Sequence, residues 1–149
     1  EIKMKNAFFV IVFAFISLNS CKPKSSNPEN TLASISDTKV LQYAIEGKAL
    51  YEANCANCHQ KNGAGLGKLI PPIYQSDYFL EDIPRTAKII KHGQNGEIMV
   101  NGILYNQEMP ANPKLTNIEI AHIMTYLYNI WGSEAGVIDA QMVEGYLKN

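Results

Sequence analysis

Apolar residues along this 149-residue chain are distributed in three different ways. From Ala7 to Ile16 they form an unbroken run behind Lys3 and Lys5. That run is shorter than the ~20 residues a membrane-spanning helix needs, and a basic stretch before a short apolar core reads as a secretory signal over residues 1–20, with Met4 as its start. Residues 21–36 then offer almost nothing to bury; Pro, Ser, Asn and Lys at this density read as a flexible tether. From residue 37 the apolar positions become periodic. Ser36 and Asp37 are N-cap candidates for a helix running to Asn54, with Val40, Ala44, Gly47 and Tyr51 along one face. Thr86–His92 reads as a short helix, with Pro84 near its first turn and Gly93 just past its end. Asn101-Gly102 between Ile98-Met99-Val100 and Ile103-Leu104-Tyr105 predicts a hairpin of a few residues per strand. Thr116-Asn117-Ile118-Glu119 fits a capping box. Ile120, Ile123, Met124, Leu127 and Trp131 follow it as the stripe of a final long helix, with Gly132 as its stop. Ile138, Met142 and Tyr146 recur every fourth residue, which predicts a short packed helix in an extension over 133–149. The fold class is all-α, with one domain over 37–132.

Charge and cysteine usage narrow the chemistry. The net charge of −1 leaves no basic footprint for nucleic acid. Residues 1–20 hold one of the 14 acidic and two of the 13 basic side chains, so the chain from Cys21 carries 13 acidic and 11 basic groups, net −2. Leu18-Asn19-Ser20-Cys21 resembles a bacterial lipobox, in which the cysteine is lipidated and becomes the mature N-terminus. On that resemblance Cys21 anchors the protein to a bacterial membrane. The tether lacks a run of acidic residues, so the domain is expected to face the periplasm. Without a lipid, Cys21 is an odd free thiol in an exported chain.

The other two cysteines lie in Cys55-Ala56-Asn57-Cys58-His59. C-x-x-C-H is the attachment signature of c-type haem. Thiols three positions apart sit about one helical turn from each other, so each can join one haem vinyl group, and the adjoining imidazole of His59 is placed to bind iron. A thioredoxin-like pair would sit in a βαβ context, which is absent from the pattern. A structural zinc site would need a second ligand pair, and none follows. The alternating Gly63, Gly65 and Gly67 are not a phosphate cradle, because no strand precedes them and their spacing is wrong. They make a pliant loop, which Pro71-Pro72 then stiffens.

Gly47-Lys48-Ala49-Leu50-Tyr51 ahead of the haem motif resembles the opening of a class I cytochrome c domain, and the resemblance extends over roughly residues 40–132. It implies N- and C-terminal helices that cross near Gly47 around one covalently attached haem c, with Tyr126 or Tyr128 meeting the glycine. It implies that the carbonyl of Pro71 or Pro72 accepts from Nδ1–H of His59. It also implies that Met109, in the polar loop Asn106-Gln107-Glu108-Met109-Pro110, is the sixth iron ligand. Among the other candidates, Met99 and Met124 read as core, His92 as a helix-end residue and His122 as a helix-surface residue. An iron held by His59 and Met109 has no open site, so the implied function is outer-sphere electron transfer by a tethered carrier between redox partner proteins. If Met109 does not bind, a sensor or peroxidase-like protein is the alternative. A third reading is a fixed subunit of a larger reductase or oxidase, with 133–149 as an interface. The sequence leaves the oligomeric state open.

Overall fold

The computed structural model describes residues 31–132 and 136–148. The proposed signal, Cys21 and the tether up to residue 30 lie outside the described residues. Six helices and one hairpin follow in order: α1 (Thr38–Asn54), α2 (Ala56–His59), α3 (Asp77–Glu81), α4 (Ile83–His92), β1 (Ile98–Val100), β2 (Ile103–Tyr105), α5 (Asn117–Ile130) and α6 (Ala140–Lys148). No helix among the described residues is long and apolar enough to cross a membrane.

Each long helix starts where side-chain chemistry permits. Asp37 accepts from the Val40 amide at 2.9 Å, and Asp82 accepts from Arg85 at 2.9 Å at the head of α4. At the head of α5, Thr116 Oγ1 accepts from the Glu119 amide, and the Glu119 carboxylate accepts from the Thr116 amide at 2.8 Å. Thr116 also donates its hydroxyl to the Glu119 carboxylate at 2.7 Å, and this bond, followed by the one from the Thr116 amide, holds the Glu119 carboxyl below its ordinary range. A depressed carboxylate stabilises the fold above its unfolded value of 4.5, and that contribution is lost as pH falls through the lower folded value. Thr116→Ala removes the N-cap of α5 and should cost about 1 kcal/mol at neutral pH. The gap from wild type should narrow as unfolding is measured at progressively lower pH below 4.5.

The core forms where α1 crosses α5. Val40, Ala44, Gly47 and Tyr51 are all buried, as the stripe predicts. A Cβ on Gly47 would lie 1.9 Å from the His122 carbonyl oxygen and 2.8 Å from Tyr126 Cβ, so the two backbones touch there. Tyr126, not Tyr128, meets the glycine. Tyr51, Tyr126 and Trp131 form a triangle with ring centroids 5.2–5.7 Å apart. Tyr128 turns the other way. It stacks on Phe79 at 4.3 Å, donates to the Phe79 carbonyl at 3.0 Å and hydrogen-bonds Thr86 at 2.9 Å, which ties α3 and α4 to α5. Burial pushes its hydroxyl up to about 12.

The strands pair antiparallel, Met99 opposite Leu104 and Val100 opposite Ile103. Asn101 and Gly102 turn with φ 51° and 74°, the mirror-image turn that Asn-Gly favours. Met99 is not core: the two-residue turn sets a register that sends Met99 and Leu104 to the outer face, 55% and 52% exposed, and Val100 inward.

Two expectations change at the chain ends. Leu32–Ser34 is a turn of 3-10 helix, and Leu32 and Ile35 pack against the core, so the described part of the expected tether is anchored rather than free. In the extension, Ile138 lies ahead of α6 and is buried, but Met142 is exposed and Val143 takes the buried position of α6. The every-fourth spacing fails because Ile138 precedes the helix. Ile138 and Thr125 exchange hydrogen bonds, Ile138 N to Thr125 Oγ1 at 3.0 Å and Thr125 Oγ1 to the Ile138 carbonyl at 3.1 Å. Asn129 donates to the Gly136 carbonyl at 2.8 Å. Together with α6 these contacts cover the outer face of α5, which is why Ala121, Thr125 and Asn129 are buried along with the predicted stripe.

Candidate functional site

Cys55, Cys58, His59, Pro71, Pro72 and Met109 line one cavity. Elsewhere its wall is largely apolar, with Ile89 and Ile90 from α4, Ile98 and Val100 from β1, and Ile123 and Leu127 from α5. Cys21 lies outside the described residues.

α1 ends at Cys55, whose amide donates to the Tyr51 carbonyl at 2.8 Å, and the single turn of α2 carries Cys58 and His59. Cys55 is half-buried and Cys58 exposed, and the two form no disulfide. Burial, followed by the neighbouring Cys58, pushes the Cys55 thiol up to about 11. After α2 the chain bends sharply. Tyr51 caps that bend by donating its hydroxyl to the Gln60 carbonyl at 2.6 Å. Gly65, at φ 68°, then lies so near the returning chain that a Cβ would stand 2.3 Å from the Ile70 oxygen and 2.7 Å from the Pro71 oxygen. Glycine at 65 thus lets the Pro71 carbonyl reach the imidazole.

That carbonyl is 3.1 Å from His59 Nδ1. It selects the tautomer with the proton on Nδ1 and leaves the Nε2 lone pair free. Of the two prolines, Pro71 makes this contact. Burial lowers the pKa of His59, opposed by the Pro71 bond, so the ring is neutral at pH 7, the form a metal binds.

Met109 is half-buried on a loop fixed to the end of α4. Its amide donates to the Gln94 carbonyl and its carbonyl accepts from the Gln94 amide, both at 2.9 Å. Gly93, at φ 81°, makes room for the loop: a Cβ there would lie 2.5 Å from the Met109 oxygen. None of Met99, Met124, His92 and His122 lines the cavity. Met124 is fully buried in the core, as expected. His92 is exposed at the last position of α4, and His122 is half-buried, packed edge-on to Tyr43 with ring centroids 4.6 Å apart.

The cytochrome c family model matches residues 44–131. The chain belongs to the cytochrome c family. It is 31% identical over 105 residues to a cytochrome c-552 of Thermus thermophilus, covering 68% of this chain and 75% of the relative. It is equally similar to a second cytochrome c-552 of the same species, again over 68% of this chain and 66% of the relative. This cytochrome c carries covalently bound haem c, and its residues fit that group. Two thiols a turn apart, a neutral imidazole with its Nε2 free and a thioether share a cavity whose remaining walls are mostly hydrocarbon. The family match stops at Trp131, so α6 is an addition to the matched region.

Sequence reasoning missed α3. Its five residues are too few for a period to show, and its sign was the Ser76 cap, which accepts from the Phe79 amide at 3.1 Å. It also missed Tyr128 as the tie between α5 and the elements beside the cavity, for which no local signal exists.

Proposed function

We propose that this cytochrome c is a monohaem electron carrier held at a bacterial membrane by a lipid on Cys21 and facing the periplasm. In this reading Cys55 and Cys58 form the thioether bonds, and His59 and Met109 are the axial ligands. When bound, the haem supplies a one-electron iron couple. The protein's part is to hold that couple in one coordination state. Pro71 keeps the imidazole in a single tautomer and orientation. The Gln94 bridge keeps the Met109 thioether in place, and the isoleucine and leucine walls limit water. With both axial positions filled there is no place for a substrate, so electrons pass to redox partner proteins through small, transient contacts.

The observation that carries this reading is that His59, fixed by Pro71, and Met109, fixed by Gln94, line the same cavity as the two thiols. The apolar side of the 136–148 segment packs on α4 and α5 of its own chain, and co-purification separates the free carrier from a fixed subunit. Expression in a host that attaches haem c, followed by fractionation, tests the anchor. Wild type should sediment with membranes until detergent is added, free of stoichiometric companions, and Cys21→Ala should be soluble in the periplasm. Equal solubility of both forms would contradict the anchor, and constant co-purification with one enzyme would contradict the free carrier.

A further inference from the structure

The Met109 loop runs from Tyr105, buried at the end of β2, to Leu115, buried before α5. Between them most side chains are exposed. The loop therefore depends on hydrogen bonds to α4 rather than on packing, and such segments open locally at low cost. Beyond the Gln94 bridge, Asn112 donates to the Ile90 carbonyl from its amide at 3.3 Å and from Nδ2 at 3.2 Å. The third attachment is a pair of hydrogen bonds from a charged donor. Lys91, in the last turn of α4, donates Nζ to the carbonyls of Pro113 at 3.0 Å and Leu115 at 2.7 Å. A cation in that turn would ordinarily serve its own helix end. This one reaches across to the exit of the loop, immediately before the Thr116 cap of α5.

We propose that Lys91 is a positioning residue for the electron-transfer centre: by holding the Pro113 and Leu115 carbonyls against α4, its ammonium keeps the Met109 loop closed over the cavity. This rests on the reading of Met109 as sixth ligand. Hydrogen bonds to a charged donor are among the stronger ones in a protein, so Lys91 sets how often Met109 leaves.

Imidazole titration of the ferric, haem-loaded protein measures that opening, because added imidazole binds iron only when the methionine is displaced. Lys91→Met keeps the length of the side chain and removes the donors. It should raise the apparent imidazole affinity about tenfold, as expected for losing hydrogen bonds to a charged group. Lys91→Arg, which can still donate to two carbonyls, should restore the affinity to near wild type. If Lys91→Met does not accumulate as holoprotein, Lys91→Gln is read in the same way, with an expected rise of a few-fold. An affinity unchanged in the folded variant, even if its unfolding midpoint falls, would overturn the proposal and leave Lys91 as a stabilising cap alone. If wild type itself shows no red absorption band of methionine-ligated ferric haem, the sixth-ligand reading fails and this proposal falls with it. If wild type shows the band and Lys91→Met binds imidazole no better, only the role of Lys91 fails.

Discussion

Met109→Ala should lower the midpoint potential and let ferrous haem bind carbon monoxide. A thioether ligand favours ferrous iron, and its loss shifts the couple toward the ferric state. Axial ligands set haem potentials across a range of about 0.8 V, so a fall of roughly a hundred millivolts or more is expected. The alanine removes the thioether from the cavity wall and leaves space in its place. The backbone bridge between residues 94 and 109 does not involve the methionine side chain, so the fold should survive and the variant should retain its covalent haem. Spectroelectrochemistry and a carbon monoxide difference spectrum give both readings. A variant with wild-type potential and no carbon monoxide adduct would remove Met109 from the iron.

Gly47→Ala should be the most destabilising glycine-to-alanine change among the described residues. The new Cβ would stand 1.9 Å from the His122 carbonyl oxygen and 2.5 Å from its carbon. Backbone cannot rotate away as a flexible side chain can, so α1 and α5 must separate. Overpacking of a close-fitted core costs about 1–3 kcal/mol, and a backbone contact belongs at or above the top of that range. The separation would also loosen the Tyr51–Tyr126–Trp131 triangle and so disturb the hydroxyl that Tyr51 donates to Gln60 beside the haem motif. Gly145→Ala is the matched contrast. Gly145 lies within α6 with no atom near its added Cβ. There alanine should stabilise by roughly 0.5–1 kcal/mol, because glycine is the poorer helix former. Denaturant unfolding of both holoproteins checks the opposite signs.

These cases show which information the chain carried locally. The face of α1 was legible because Val40, Ala44, Gly47 and Tyr51 follow one helical period and every one of them is buried. On α5 the same reasoning found the stripe against α1 and the cavity but not the opposite side. Ala121, Thr125 and Asn129 are buried by residues 136–148, and nothing in α5 itself announces that cover. Two polar side chains there, Thr125 and Asn129, look like a solvated face in sequence, whereas they are the hydrogen-bonding anchors of the extension. The Met99 and Met142 expectations failed for related reasons. In a two-strand hairpin, register decides which apolar residue turns inward, and in the extension the start of α6 shifts the buried position to Val143. At the site, that Cys55, Cys58 and His59 share one cavity wall was legible because the C-x-x-C-H spacing sets them within about a helical turn of each other. The choice of Pro71 over Pro72 was not, because it depends on how Gly65 folds the loop back upon Ile70 and Pro71. Lys91 was equally hidden, since its partners lie more than twenty residues further along the chain.

The central claim is that this chain holds one haem with both axial positions filled, by His59 and Met109, and so transfers electrons without binding a substrate. An absorption spectrum of the purified holoprotein, oxidised and then reduced, tests it most directly. With His59 and Met109 on the iron, the haem should be low-spin in both states, with a weak red band in the ferric spectrum that vanishes on reduction. A high-spin ferric spectrum without that band would contradict it and would mean an open distal site.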